Sequence, residues 1–281
     1  MSDSSKKDFV EALAPGLEVI RSFDRIHMKQ TIAQVSERTL LARPTVLRLL
    51  GTLEELGYVR SQGNHYSLTP KVVDLGMAYV SALGLYGAAK PHMENLSKEV
   101  DQSVSLAELD GSDIVYTGRV DVPKIVSVGV TVGARLPSAS TAVGRVLLAA
   151  VPDAELHDVL STPSLSMFIP RTRFTAEQIR SRLHTVREQG WAESDEDLQY
   201  GVQAIAAPLH GEDGQVVAAI GLGTHTSEIG KEVLRERYLP LLLETARNID
   251  SDWSECRKLP TSESALNIDG MQLLHLRRIS S

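Results

Sequence analysis

The chain has 281 residues, of which 42% are hydrophobic and 23% charged, a composition typical of a soluble globular protein with one large domain or two smaller ones. The sequence contains no run of the roughly 18 apolar residues that a membrane span needs. Its first residues lack the apolar core of a secretory signal, so we expect a cytoplasmic protein. The single Cys256 excludes an internal disulfide and a multi-cysteine zinc site.

The net charge of −7 is unevenly distributed along the chain. Residues 1–90 carry 11 Lys and Arg against 9 Asp and Glu, a balance of +2, whereas residues 91–281 carry 18 against 27, a balance of −9. Such asymmetry between two parts of a chain is worth following, but a balance of +2 is weak by itself and the distribution of the basic residues must decide. A surface for nucleic acid is therefore expected only in the first part.

The first 70 residues predict three helices followed by a hairpin. Apolar residues at helical spacing indicate a first helix over 13–24, and Thr31 is placed to cap a second helix over 32–38. A tight turn over 39–44 leads to a third helix that ends near Gly57. Residues 58–60 and 65–68 alternate like strands around a turn at 61–64. This order is that of a winged helix-turn-helix.

The third helix has the two-sided pattern of a DNA-recognition helix. Its apolar stripe comprises Val46, Leu49, Leu50 and Leu53, and its other side carries Pro44, Leu47, Arg48 and Gly51, with Arg43 and Thr45 beside the helix start. Pro44 fixes the start, and the free amides of the first turn, with the Thr45 hydroxyl, favour a phosphate. Arg48 has the guanidinium fork that binds guanine O6 and N7, a contact that contributes about 1–3 kcal/mol of discrimination.

We therefore predict a DNA interface formed by Arg43, Pro44, Thr45, Leu47 and Arg48, with Arg60 at the base of the hairpin. The alternative for residues 43–55 alone is a surface helix with two solvated arginines. The preceding short helix, the tight turn and the hairpin at winged-helix spacing favour the DNA interface.

The rest of the chain predicts an α+β domain reached through a linker helix. A helix opens at Thr69-Pro70, and its broad apolar content indicates that it packs on a neighbour. Pro91 marks the expected entry to the second domain. Helices are expected at 91–100, from about 140, and at 153–160, 175–189 and 230–252, with strands at 103–109, 113–119, 125–131, 191–195, 202–210 and 215–223. The expected domains are residues 1–69 (winged helix-turn-helix), 70–90 (linker helix), 91–255 (second domain) and 256–281 (flexible tail).

Five separated motifs, in order, resemble the IclR family of bacterial transcriptional regulators over about residues 12–250. They are TVLRLLGTLEELGYV, TPKVVDLG, VGARLPSASTAVGRVLLAA, GWAESDEDLQYGVQAIAAPL and GQVVAAIGL. The resemblance implies a GAF-like effector-binding second domain, dimerisation through the N-terminal half and often a dimer of dimers. The turn departs from the family pattern, which usually has Gly near Leu40 and Pro near Ala42, whereas here Pro stands at 44.

The resemblance also implies an effector cavity and a class of effector. Its implied lining is Ile125, Val128, Thr141, Ala142, Ser194, Val202, Ala204, Gly221 and Gly223. The segments VYTGRVDVPKIVSVGVTVGARLP and GRVLLAAVPDAEL resemble regulators of aromatic-acid breakdown that respond to protocatechuate, 4-hydroxybenzoate or β-ketoadipate. A carboxylate effector needs a cation, and Arg119 and Arg135 are the nearest candidates in sequence.

The helix start at 138–141 has two interpretations from the residues alone: ordinary capping, with Gly144 allowing a close helix contact, or a site for a carboxylate. Both remain open in the sequence.

Two further functions compete with regulation by DNA binding. An enzyme is disfavoured, because the sequence lacks a GxSxG elbow, a phosphate loop and an HExxH motif. The acidic run 193–197 is expected to be a solvated loop, and neither a metal nor a cofactor is expected.

The second competitor is a ligand-binding or dimerisation module that does not read DNA, with an effector of another chemical class. The basic residues Arg43, Arg48 and Arg60 favour DNA instead. We thus expect a homodimer, or a dimer of dimers, that binds a pseudo-palindromic operator and a small carboxylate.

Overall fold

The computed structural model describes residues 10–24, 26–124 and 130–258, and the chain divides into two compact units between Ala82 and Leu83. None of the helices in these residues is long and apolar enough to span a membrane. The fold is α+β: a winged helix-turn-helix unit, a linker helix, and a unit built on one antiparallel sheet.

Three helices form the core of the first unit: α1 (Leu13–Arg21), α2 (Ile32–Thr39) and α3 (Arg43–Glu55). Thr31 caps α2 as predicted, since its hydroxyl accepts from the Gln34 amide while the Gln34 side chain bonds back to the Thr31 amide. The buried apolar side chains are Val19, Phe23, Val35, Val46, Leu50, Leu53 and Val59. Leu13 and Leu17, two of the apolar residues whose spacing predicted the first helix, are 62% and 48% exposed.

A two-stranded wing follows, β1 (Val59–Gln62) paired antiparallel with β2 (His65–Leu68). The turn is shorter than predicted, because β1 extends to Gln62 and Gly63 takes a left-handed φ of 64°. A bridge between Gln30 and Tyr66 attaches the wing to the segment before α2. The wing is therefore held against the helices at its base and exposed at its tip.

The linker region contains two helices, α4 (Val72–Leu83) and α5 (Leu85–Val100), with Gly84 between them at a φ of 64°. The helix predicted to begin at Pro91 in fact begins at Leu85, and Pro91 lies inside it. The buried residues of α5, Leu85, Ala89, Met93, Leu96 and Val100, continue through Pro91 at helical spacing. Their packing maintains the helix although Pro91 lacks one hydrogen-bond donor.

The second unit is a six-stranded antiparallel sheet in the order β5-β4-β3-β8-β7-β6. Its strands are β3 (Val104–Asp110), β4 (Asp113–Val120), β5 (Arg135–Pro137), β6 (Ala192–Asp195), β7 (Val202–His210) and β8 (Val216–His225). The three-residue edge strand β5 lies where the sequence predicted a loop. The predicted strand 125–131 falls mostly outside the described residues.

Helices cover both faces of this sheet. The remaining helices are α6 (Ala142–Ala150), α7 (Asp153–Ser161), α8 (Ala176–Gln189), α9 (Lys231–Val233) and α10 (Leu239–Lys258), with a π-helical turn at Leu234–Tyr238 before α10. The helices α5 and α10 pack on one face, and α6 packs on the other. The predicted tail lies outside the described residues from residue 259 onward.

Candidate nucleic-acid interface and ligand cavity

One side of α3 is anchored in the core and the other is exposed, as predicted. Val46 and Leu50 are fully buried and Leu53 is 8% exposed. The residues predicted to contact DNA, Arg43, Pro44, Thr45, Leu47 and Arg48, are all exposed. Within the described residues, the guanidinium groups of Arg43 and Arg48 have no carboxylate partner. This face of α3 therefore presents two uncompensated positive charges.

The first turn of α3 offers fewer free amides than the sequence suggested. Pro44 has no N–H, and the amides of Thr45 and Val46 both donate to the Ala42 carbonyl oxygen, at 2.9 and 3.0 Å. A phosphate at this end would therefore depend more on the Arg43 side chain and the Thr45 hydroxyl than on backbone amides.

The wing is attached to α3 through Glu54. The Glu54 carboxylate accepts from the Ser61 amide at 2.8 Å and from the Ser61 hydroxyl at 2.6 Å. These bonds lower the pKa of Glu54, the side-chain bond from Ser61 contributing most. Arg60, which donates to the Ser67 hydroxyl at 3.2 Å, is exposed beside them. Hydrogen bonds between Glu54 and Ser61 thus hold the exposed wing and α3 together.

The end of α3 is also bonded to the start of α4. The Thr69 hydroxyl donates to the Gly57 carbonyl at 2.6 Å, and the Thr69 amide donates to the Tyr58 carbonyl at 2.9 Å. The Lys71 ammonium donates to the Leu56 carbonyl at 2.8 Å. A cation at a helix C-terminus is favourable for the helix dipole. We call this set, Thr69 and Lys71 with the carbonyls of Leu56 and Gly57, the α3–α4 clamp.

The second unit contains a cavity of about 130 Å³ on the α6 side of the sheet. Its wall is formed by residues of the sheet strands, most of them on β7 and β8, by the start of α6, and by the loop after β6. Residues of this wall that carry the argument below are Ser105, Tyr116, Arg119, Lys124, Thr141, Val143, Ser194, Leu198, Val202, Ala204, Gly221, Gly223, His225 and Glu228. The cavity wall therefore combines apolar side chains with polar ones and with three charged ones, Arg119, Lys124 and Glu228.

Six of the residues implied by the resemblance line this cavity: Thr141, Ser194, Val202, Ala204, Gly221 and Gly223. Arg119, proposed from the sequence as a cation for a carboxylate, lines it as well. Ala142 is buried but does not line it. The predicted positions Ile125 and Val128 lie outside the described residues.

Arg135 also lies away from the cavity. It pairs with Asp110 at 2.5 Å, at the turn end of the β3–β4 hairpin, whereas Arg119 pairs across the hairpin with Ser105 near its open end. Five residues of strand separate Ser105 from Asp110, or about 17 Å. Of the two arginines considered from the sequence, Arg119 alone is on the cavity wall.

A bulge in β4 explains why sequence alternation missed Tyr116. The register shifts between Leu106 and Ala107, so that Tyr116 and Arg119, three residues apart, face the same side. Burial raises the pKa of Tyr116 to about 12. Its hydroxyl therefore remains a hydrogen-bond donor at neutral pH. His225, by contrast, continues the simple alternation of Gly221 and Gly223 and could have been found from the sequence.

The start of α6 is capped by its own residues. The Thr141 hydroxyl accepts from the Gly144 amide at 3.1 Å. A Cβ at Gly144 would lie 2.1 Å from the Ser138 carbonyl oxygen, so only glycine permits this approach. The capping interpretation therefore holds, and the close contact is with the turn before the helix.

The acidic run 193–197 is a structural element as well as a surface loop, which corrects the sequence interpretation. Asp197 is 7% exposed and accepts from the buried Arg145 at 2.6 Å, while Arg145 also donates to the Glu193 carbonyl at 2.6 Å. A buried pair of this kind fixes geometry because loss of either partner leaves an uncompensated charge. It fixes the loop that contributes Leu198 to the cavity. In the described part of the chain, no group of three His, Cys, Asp or Glu is placed to hold a metal.

Two family models match the two units. The IclR helix-turn-helix domain matches residues 12–63, and the bacterial transcriptional regulator IclR C-terminal domain matches residues 77–251. The chain belongs to the IclR family. The resemblance drawn from the sequence is thereby confirmed. The helix-turn-helix match also decides against a module that does not read DNA.

Relatives of known function and structure agree with this assignment. The Pca regulon regulatory protein of Pseudomonas putida is 40% identical over 86% of this chain and 84% of its own length. A crystal structure of a Rhodococcus sp. RHA1 protein is 40% identical, with a TM-score of 0.77, and covers 88% of this chain and 100% of its own. An IclR homolog from Microbacterium hydrocarbonoxydans, solved with 4-hydroxybenzoate, is 26% identical, with a TM-score of 0.75, over 87% and 99%.

This member of the IclR family is a DNA-binding transcriptional regulator whose operator binding is modulated by a small organic effector. It is a regulator and not an enzyme.

Proposed function

We propose that the exposed face of α3 enters the major groove of operator DNA. In this arrangement Arg48 contacts a base edge, Leu47 contacts apolar base surface, and Arg43 and Thr45 contact phosphates. Arg60 on the wing adds a further phosphate contact. The observation that carries the proposal is the pair of exposed, unpaired guanidinium groups on a helix whose opposite side is locked in the core.

The Arg48→Ala variant tests this interface. A DNA duplex selected by the wild-type protein from a random-sequence pool supplies the operator. We expect Arg48→Ala to lower affinity for that duplex by roughly 5-fold to 150-fold, which corresponds to about 1–3 kcal/mol. Affinity for unrelated duplexes should change much less, because phosphate contacts dominate there.

The matched control is Arg180→Ala, which removes an exposed arginine from α8 in the second unit. It should leave binding unchanged. Wild-type affinity that does not fall with salt concentration, or an Arg48→Ala variant that binds like the wild type, would contradict the proposed interface.

We further propose a homodimer that places two α3 helices in successive major grooves about 34 Å apart on a pseudo-palindromic site. The first unit exposes apolar side chains suited to such an interface: Leu13 and Leu17 on α1, and Val73 and Leu75 on α4, are 48–62% exposed. Analytical ultracentrifugation tests this assembly, and a monomer at micromolar concentration would contradict it. Since its target is bacterial DNA, we place the regulator in the cytoplasm.

We propose that the effector is a small carboxylic acid of the aromatic or dicarboxylic type, bound in the cavity of the second unit with its carboxylate at Arg119. The support comes from the guanidinium of Arg119 on the cavity wall and from the homolog that holds 4-hydroxybenzoate. Isothermal titration with protocatechuate, β-ketoadipate and a neutral aromatic amide tests this. Binding heats that are absent or equal for all three would remove the carboxylate proposal.

A further inference from the structure

Among the described residues that line the cavity, the basic side chains of Arg119 and Lys124 each pair with one of the protein's own carboxylates. Arg119 bonds Asp121, and Lys124 bonds Glu228. An anionic effector therefore does not enter an empty positive site. A carboxylate that approaches either cation meets an internal anion, and the two pairs differ in how exposed that anion is.

Arg119 has two hydrogen-bond partners in the described part of the chain, the Ser105 hydroxyl, which stays in place, and the Asp121 carboxylate, which can leave. The Arg119 Nη1 donates to the Ser105 hydroxyl at 2.8 Å, and its side chain is only 10% exposed. Asp121 accepts from Arg119 Nε at 2.5 Å, but its side chain is 65% exposed. Asp121 can rotate into water at little cost, while Ser105 keeps the guanidinium against the cavity wall.

The Lys124 pair is more enclosed. Lys124 lies 2.7 Å from Glu228 and 3.9 Å from Asp101, and its side chain is 18% exposed. The Glu228 side chain is 32% exposed, about half the exposure of Asp121, and Glu228 itself lines the cavity. A second carboxylate brought towards Lys124 would meet the negative charge of Glu228.

We infer that Asp121 is an internal counterion that holds Arg119 until the carboxylate of the effector replaces it. The cavity consequently has one exchangeable anion site, which favours an acid with a single carboxylate and an uncharged opposite end over a dicarboxylate. This inference rests on the proposed function, because it assumes that an acid binds at Arg119. In it, Asp121 is a positioning residue that sets affinity and selectivity without touching the effector.

Calorimetry on the full-length Asp121→Asn variant tests the inference with 4-hydroxybenzoate and its neutral isostere, 4-hydroxybenzamide. Removal of the competing charge should raise affinity for the acid by about 1.4-fold to fivefold, the range for an exposed ion pair. Affinity for the amide should not change, so the ratio of the two affinities rises. A general effect on folding or cavity shape would move both ligands together.

The matched control is Asp110→Asn, because Asp110 pairs with Arg135 at the same 2.5 Å distance and is also 65% exposed, but lies at the far end of the hairpin. It should leave both affinities unchanged. If acids bind the wild type and Asp121→Asn binds them equally or more weakly, the counterion inference is wrong although the effector proposal stands. If neither protein binds any acid, the effector proposal fails, and the inference fails with it.

Discussion

At the scale of single residues, Leu40 adopts a backbone conformation that is unfavourable for leucine. It ends α2 with a φ of 57°, and its side chain is 91% exposed, so no packing offsets the strain. The Leu40→Gly variant should relieve about 1–2 kcal/mol of left-handed strain, against roughly 0.5–1 kcal/mol of added entropy in the unfolded chain. We expect net stabilisation of up to about 1.5 kcal/mol, measured by hydrogen exchange of the α2 and α3 amides.

Leu56→Gly is the control for this prediction. Leu56 is 53% exposed but has a right-handed φ of −73°, so the same chemical change removes no strain there. It should destabilise the unit by roughly 0.5–1 kcal/mol. If Leu40→Gly and Leu56→Gly shifted amide protection in the same direction, strain at Leu40 would not be the cause of the change in stability.

Tyr116 makes a second residue-scale prediction, for alkaline pH. Its pKa is raised by burial to about 12 from an ordinary value of 10.0, so the folded protein retains this proton after the unfolded chain has lost it. The stability associated with the protonated phenol is fully present below pH 10. It should fall by about 1.4 kcal/mol per pH unit between about pH 10 and 12.

The measurement is urea unfolding of the wild type and of Tyr116→Phe across this pH range. The difference in unfolding free energy between the two proteins isolates the buried phenol from other groups that titrate at alkaline pH. A difference that stays constant from pH 9 to pH 12 would mean that Tyr116 titrates normally.

At the scale of elements, the α3–α4 clamp connects the recognition helix to the linker helix. Thr69→Val keeps the side-chain shape but removes the 2.6 Å bond to the Gly57 carbonyl and the acceptor for the Lys71 amide. We expect the first unit to lose about 1–2 kcal/mol of stability and operator affinity to fall, since α3 is less firmly oriented. Hydrogen exchange and fluorescence anisotropy measure the two effects.

Thr185→Val provides the comparison, because the Thr185 hydroxyl bonds only within α8, to the Ser181 carbonyl. It should not change operator affinity. Unchanged operator affinity in Thr69→Val, together with normal stability, would show that the clamp does not orient α3.

The elements also show which features the sequence encodes locally. The helices α2 and α3 were predictable because Thr31 and Pro44 mark their starts and their apolar residues recur at helical spacing. The strand β5 was not, since three residues at a sheet edge have no recognisable alternation. Pro91 is a strong boundary signal by itself, but packing of α5 against the sheet overrides it.

The cavity residues also divide into those that the sequence encodes locally and those that depend on other parts of the fold. Residues on regular strands, such as Gly221 and Gly223, follow from alternation once the strand is known. Tyr116 depends on a bulge, and the ion pairs of Arg119 and Lys124 depend on loops that no periodicity describes. Similarly, the burial of Asp197 depends on its ion pair with Arg145, which lies 52 residues away in sequence.

At the scale of the whole molecule, the charge asymmetry assigns a partner to each unit. The first unit, residues 1–82, carries 10 Lys and Arg against 9 Asp and Glu, a balance of +1. The second unit, residues 83–281, carries 19 against 27, a balance of −8, so its net charge disfavours contact with DNA. The proposed regulation requires that an acid bound in the acidic unit changes the affinity of the basic unit for the operator. Such coupling typically amounts to a 5-fold to 150-fold change in affinity.

The most direct test of the account is operator affinity measured by fluorescence anisotropy with and without saturating 4-hydroxybenzoate, in the wild type and in Arg119→Gln. We expect the acid to change wild-type affinity by at least about fivefold. The Arg119→Gln variant should bind the operator normally but should not respond to the acid. Two results would contradict the account: an acid response that survives in Arg119→Gln, or a wild type whose operator affinity does not change with 4-hydroxybenzoate.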